Sequence, residues 1–239
     1  MAIRFEVVPF LIIACCISGA VIVILRLTGV GSKTALGIGS VFFALAGGYL
    51  VYFFRDPHRE CAKDSRTVIA PADGTIASIT RLSNEEFNRT ASFCGLSGAD
   101  LARFTKGSSV LRISTFLSLF DVHVNRAPIS GSSRFLGYFK GKHLFTFEQK
   151  SSDVNQHNSI LMTNQETCCL INQIVGPVCR RVVYWPDHSR SVELSAGDRI
   201  GMMKFGSRLD LYFPADDIIV TIKNGDIVRA GITSLATIK

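Results

Sequence analysis

The sequence of 239 residues predicts a mainly β domain preceded by a hairpin of two membrane-spanning helices. Three observations point there. Val8 to Leu25 and Ala35 to Phe54 are apolar runs, each long enough to cross ~30 Å of hydrocarbon at ~1.5 Å per helical residue. Beyond Arg55 the chain breaks into short β-type runs divided by turn residues. The hydrophobic fraction is 47% and the charged fraction 19%, an apolar balance concentrated in the first quarter of the chain.

The hairpin is assigned to residues 1–54, with a polar link from Arg26 to Thr34 that holds Gly29 and Gly31. A cleaved leader is the competing reading of the first run. The run is too long for that, and no small-x-small site precedes Arg26. Two spans return the chain to the side where it started. Arg4, Arg55, Arg59, Lys63 and Arg66 lie on that side, so the positive-inside rule puts the main domain, 55–239, in the cytoplasm.

Within that domain, strands are expected at Val68–Ala70, Thr75–Thr80, Val110–Phe120, Ser159–Met162, Thr167–Val175 and Val178–Tyr184. Further strands are expected at Leu209–Phe213, Ile218–Lys223, Ile227–Val228 and Ile232–Ile238. Ser83 to Phe104 reads as helical or irregular, opened by a capping box at Ser83 and Glu86. Pro71-Ala72-Asp73-Gly74, Gly197-Asp198-Arg199-Ile200 and Gly225-Asp226-Ile227-Val228 repeat a turn-then-strand pattern. That pattern resembles small barrel-sandwich hybrid domains, although Gly-Asp is also a common turn pair.

The formal net charge is +7, and only Arg4, Glu6, Arg26 and Lys33 of the charged residues fall within 1–54. A basic domain beside a membrane is drawn to anionic headgroups; a solvated surface without a partner accounts for the same charge. Nucleic acid is not expected, since no basic run is interleaved with aromatics. The seven cysteines form no Cys-x-x-Cys, zinc pattern or disulfide framework; Cys15 and Cys16 act as small hydrophobes in the first apolar run, and the other five read as reduced thiols of a cytosol-facing domain. His58, His143, His157 and His188 have no ligand spacing, so no metal is expected.

The segment richest in chemistry is Lys204-Phe205-Gly206-Ser207-Arg208, which leads into Leu209–Phe213. Glycine admits backbone geometries closed to other residues, so a following serine hydroxyl can approach its carbonyl. Attack by Ser207 on the Gly206 carbonyl turns the amide into an ester. β-Elimination then leaves a dehydroalanine, which hydrolyses to a pyruvoyl group. Taken alone, Gly-Ser is an ordinary turn.

Two further motifs accompany it: Ala-Pro-Ala-Asp-Gly at 70–74 and Phe-Asp-Val-His-Val-Asn-Arg-Ala-Pro at 120–128. In this order and spacing the three closely resemble the phosphatidylserine decarboxylase proenzymes of the short bacterial and archaeal form, from about Phe53 to the C-terminal Gly-Asp-Ile-Val-Arg-Ala-Gly. The resemblance implies cleavage between Gly206 and Ser207 into a large subunit, 1–206, and a small subunit, 207–239. It implies that Ser207 becomes the pyruvoyl cofactor and forms a Schiff base with phosphatidylserine, which loses CO₂ to give phosphatidylethanolamine. The location implied is the bacterial inner membrane. Asp73 matches an acidic residue that helps activate the serine, and His123 an active-site histidine. Longer relatives show His-x-x-His where this chain has His123 and Arg126, which leaves open the base for self-cleavage. Arg126 is a candidate for the substrate carboxylate or phosphate, or for a salt bridge with Asp121. Asn155 and Asn158, with Lys140 and Lys142, fall where the family keeps polar loop residues and are candidates for headgroup contacts, or simply a solvated loop.

The rival from another class is a biotin or lipoyl carrier modified at Lys204, since Met202-Met203-Lys204 resembles a carrier hairpin. A noncatalytic protein binding anionic lipid is a third reading. A homodimer is left open.

Overall fold

The computed structural model describes residues 2–61, 65–177 and 182–239. The chain divides into two compact units, Met1–His58 and Arg59–Lys239.

In the first unit, strand β1 (Ala2–Ile3) leads through a short 3-10 turn into helix α1 (Val8–Leu27). Helix α2 (Ser32–Phe53) follows, then strand β2 (Arg55–Asp56), which pairs antiparallel with β1. Pro9 sits in the first turn of α1, where its missing N–H costs no hydrogen bond. The helix ends in a Schellman-type cap: Gly29 is left-handed at φ 88°, and Val30 N–H donates to Leu25 O at 3.0 Å. The two helices approach closely at Gly39, where an added Cβ would lie 2.3 Å from the Ile22 side chain and 3.2 Å from Ser18 O. Both are long and apolar enough to cross a bilayer.

The second unit opens with β3 (Thr67–Ile69) and the long β4 (Gly74–Ser83), then helices α3 (Asn84–Ala91) and α4 (Gly98–Phe104). Both helices carry complete capping boxes, Ser83 with Glu86 and Ser97 with Asp100. Next come β5 (Ser109–Leu117), β6 (Val124–Arg126), β7 (Gly131–Phe139), α5 (Ser151–Val154), β8 (His157–Thr163) and β9 (Cys168–Val175). The chain finishes with β10 (Val183–Tyr184), β11 (Val192–Leu194), β12 (Arg199–Met202), β13 (Ser207–Pro214), β14 (Ile218–Val220), β15 (Ile227–Val228) and β16 (Ser234–Ile238).

Eight strands form the main antiparallel sheet, in the order β11-β7-β8-β9-β13-β5-β4-β15. Two three-stranded sheets, β10-β12-β6 and β14-β16-β3, complete the unit. No barrel closes among the described residues; the sheets stack in a sandwich-like arrangement. The fold is thus mostly β with an apolar helical hairpin at its N-terminal end.

Alternation along β13 sorts its side chains onto two faces. Leu209, Leu211 and Phe213 enter the larger core with Ile113, Leu117, Ile171 and Met203. Tyr212, on the other face, packs with Phe87, Phe104 and Leu170 beneath the two helices.

Strands β6, β7 and β11 are not among those expected from the sequence, while β12 follows the turn-then-strand pattern at Gly197-Asp198-Arg199-Ile200. Gly131 and Gly137 disguise β7, yet both are needed there. A Cβ on Gly131 would lie 2.3 Å from Thr163 O, and the register with β8 shifts between Phe135 and Gly137. Of the strand expected at Val178–Tyr184, only Val183–Tyr184 is seen; residues 178–181 lie outside the described residues.

No disulfide links the described cysteines. Burial raises the thiol pKa of Cys94, pushes Cys168 up to about 12 and holds Cys169 well above the ordinary thiol range. Because the thiolate is the nucleophile, iodoacetamide at mildly alkaline pH is expected to spare these three in the folded protein and label them after denaturation. Peptide mapping reads the difference; labelling of Cys169 under native conditions would contradict the packing described.

Candidate active site

Ser207 opens β13, and its neighbours hold it on both sides. It lies in register with Leu117 of β5 and Val175 of β9. Its side chain falls on the face of Leu209 and Leu211 and is fully buried. The Oγ atom has no hydrogen-bond partner among the described residues. A hydroxyl left unsatisfied in a core is uncommon and asks for a chemical reason.

The approach to Ser207 is strained. Phe205 has φ 52° and Gly206 φ 70°, two left-handed residues in succession. Among the described residues Phe205 is the one non-glycine with positive φ. Such a residue costs about 1–3 kcal/mol and persists only where its surroundings impose it. The Gly206 carbonyl is also crowded from outside: a Cβ on Gly176 would come within 2.7 Å of Gly206 O.

His123 is fully buried just before β6. Its Nδ1 lies 2.9 Å from Asp121 O, and a carbonyl only accepts, so Nδ1 carries the proton and Nε2 is the basic nitrogen of the neutral ring. Met203 N–H donates to His123 O at 3.1 Å, continuing the β6–β12 pairing. The backbone of His123 therefore runs beside the four residues that lead into Ser207.

Asp73 stands at the same end of the sheet. Thr75 pairs with Phe116, and Phe116 with Arg208, so Asp73 lies about two inter-strand spacings, on the order of 10 Å, from the Ser207 line. Gly74 is required beside it, since a Cβ there would lie 2.1 Å from Phe116 O. The Asp73 carboxylate is held by Arg59, which donates to both oxygens at 2.5 and 2.8 Å, and by Ala230 N–H at 2.8 Å.

The remaining candidates are placed differently. The Arg126 guanidinium donates to Gly197 O at 2.8 Å, and its backbone N–H to Pro71 O. Asp121 accepts from Ser118 N–H. Asn155 spends its amide on Leu144 N–H, Leu144 O and Val175 O, bracing a loop. Asn158 is buried on the Ser207 face, in register with Gln173. Lys204 is buried at 8% exposure, against the exposed lysine that a carrier needs, whereas Lys140 and Lys142 are exposed. A cavity of about 480 Å³ lies on the opposite face of the sheet, lined by Glu86, Arg89, Arg112 and Asp153, away from Ser207.

Four residues of this region escape the sequence analysis: Arg59, Asn125, Gln173 and Gly176. Two carried a signal. Asn125 lies inside the histidine motif, and Gln173 with Asn172 interrupts an otherwise apolar strand.

Fold and site together define a β-rich unit built around a strained Gly-Ser bond with a buried, unpartnered hydroxyl. The family model for phosphatidylserine decarboxylase matches residues 47–236. A phosphatidylserine decarboxylase proenzyme of Carboxydothermus hydrogenoformans is 34% identical over 213 residues, 89% of this chain and 90% of the relative. One of Desulfotalea psychrophila shows the same figures, and one of Chlorobium limicola is 36% identical over 83% of this chain and 82% of the relative. The chain belongs to the phosphatidylserine decarboxylase family.

The Arg59–Asp73 pair is buried, with side chains 7% and 12% exposed. Removing one partner of such a pair costs about 3–5 kcal/mol. Arg59→Met is expected to destabilise the protein by that order in denaturant unfolding, and Asp73→Asn on top to recover part of it. Strictly additive losses would mean that the pair is not coupled.

Proposed function

We propose that this chain decarboxylates phosphatidylserine to phosphatidylethanolamine and CO₂, using a pyruvoyl group that it makes from Ser207 by cutting its own Gly206–Ser207 bond. The observation that carries the proposal is the buried, partnerless Ser207 Oγ directly after two left-handed residues. A hydroxyl without a partner keeps its lone pairs for the neighbouring carbonyl. The left-handed turn raises the ground state of the peptide that is attacked.

In self-cleavage, Ser207 Oγ bonds to the Gly206 carbonyl carbon and the peptide nitrogen leaves, giving an ester and a free amine. Loss of the Ser207 α-proton expels the Gly206 carboxylate and leaves dehydroalanine. Water then releases ammonia and leaves the pyruvoyl end. Two protons must be taken up along this route, from Oγ and from Cα. His123 Nε2 is the proposed acceptor, and positioned proton transfer of this kind is typically worth ~10²–10⁴ in rate. Asp73 is proposed to support maturation by holding the turn beside β5, fixed by Arg59 and Ala230. Arg126 and Asn155 brace loops and are not assigned to the substrate.

The residues fit the group, because Ser207 is itself its precursor and lies among buried polar side chains. When present at position 207, the pyruvoyl group would supply a carbonyl for the substrate amine and an electron sink for the loss of CO₂. His123 is proposed to return the proton to the carbon that lost the carboxylate. The apolar hairpin is proposed to anchor the enzyme in the bacterial inner membrane, with the catalytic unit on the cytoplasmic face.

Ser207→Ala is expected to give one uncut chain without decarboxylase activity; cleavage at the same bond would place the nucleophile elsewhere. His123→Ala is expected to slow maturation and to abolish turnover in the fraction that matures, measured as activity per pyruvoyl. Wild-type maturation rates in that variant would assign the base to another residue. Gly176→Ala, which pushes on the scissile carbonyl, is expected to slow cleavage on the order of 10²-fold while the fold survives. Unchanged cleavage kinetics would remove Gly176 from the account.

A further inference from the structure

We propose that Asn125 and Gln173 form the subsite for the serine carboxylate of the substrate headgroup, an inference resting on the reading of Ser207 above. Gln173 lies opposite Leu209, the next residue on the Ser207 face of β13. It is therefore a diagonal neighbour of Ser207, about 7–8 Å away and within reach of a long side chain. Asn125 follows His123 by two residues, on the same side of β6. The two amides meet: Gln173 Nε2 donates to Asn125 Oδ1 at 2.5 Å, and both residues are fully buried.

One shared bond does not satisfy two amides. Asn125 Nδ2 and Gln173 Oε1 have no partner among the described residues, and neither has Asn158 Oδ1 in register beside Gln173. Exchanging nitrogen and oxygen in both amides leaves the same inventory, one NH₂ donor and one carbonyl acceptor. Buried polar groups without partners are rare; here Gln173 and Asn158 lie one and two strands from an equally unpartnered Ser207 Oγ, and Asn125 is bonded to Gln173 from the neighbouring sheet.

A free donor beside a free acceptor matches the amino-acid end of a serine headgroup. The NH₂ group donates to the carboxylate and the carbonyl accepts from the amine. A neutral donor also suits the reaction. The carboxylate loses its charge as CO₂ forms, so a cation would stabilise the bound substrate more than the transition state. An amide fixes the direction of the carboxylate with less of that penalty.

The test is equilibrium binding to the matured enzyme, by calorimetry. Glycerophospho-3-hydroxypropionate carries the carboxylate without an amine and cannot condense; glycerophosphopropanol lacks both. The wild type is expected to prefer the first by about tenfold or more, the usual worth of a hydrogen bond to a charged group. Asn125→Leu is expected to equalise the two. Asn125→Asp keeps the volume and the acceptor for Gln173, and is expected to reverse the preference. It decides the matter if Asn125→Leu does not mature. A wild type without preference, or a preference retained in Asn125→Asp, overturns the subsite and makes the amides a structural network only. Failure of the wild type to cut at Gly206–Ser207 overturns the reading of Ser207 itself, and is seen before any ligand is added.

Discussion

Everything at this site depends on the four residues that join β12 to β13. They pass from a three-stranded sheet into the middle of the eight-stranded one, and both ends are fixed. Met202 pairs with Val124 and with Val183, while Ser207 is in register with Leu117 and Val175. A chain pinned so closely at both ends cannot relax its dihedrals, and Phe205 and Gly206 take left-handed values. Strain of this kind survives because the strands on either side are worth more than it costs.

The far face of β13 supplies much of that support. Arg208 donates to Asp210 at 3.0 Å with both side chains essentially unexposed, and also reaches Ser78 Oγ at 3.3 Å on β4. Tyr212, one alternation further, packs on Phe87 at a ring distance of 5.7 Å. The Arg208–Asp210 pair on one face fixes the strand, while the unsatisfied amides and the Ser207 hydroxyl stand on the other.

Much of this was legible in the sequence. The two apolar runs gave the hairpin, and its ends moved by a few residues only because caps such as Gly29 set them. Strands made largely of apolar and β-branched residues, β9 and β13 among them, were evident. One rich in glycine and polar residues was not: the partner strand approaches Gly131 of β7 closely, which no local pattern records. Ser207, His123 and Asp73 stood out through their motifs. The partner of Asp73 did not, because Arg59 lies fourteen residues away and only the fold brings it back. Asn155 illustrates the converse. Its motif position suggested a ligand contact, yet its amide is consumed by backbone groups.

The central claim is that the encoded serine at 207 becomes a new chain end. The intact mass of the small chain tests it most directly. Under denaturing conditions the account expects a chain of residues 207–239, lighter than the encoded sequence by one ammonia, beside an unmodified chain ending at Gly206. A small chain of the full encoded mass, with serine retained at its end, would mean simple proteolysis and would contradict the account.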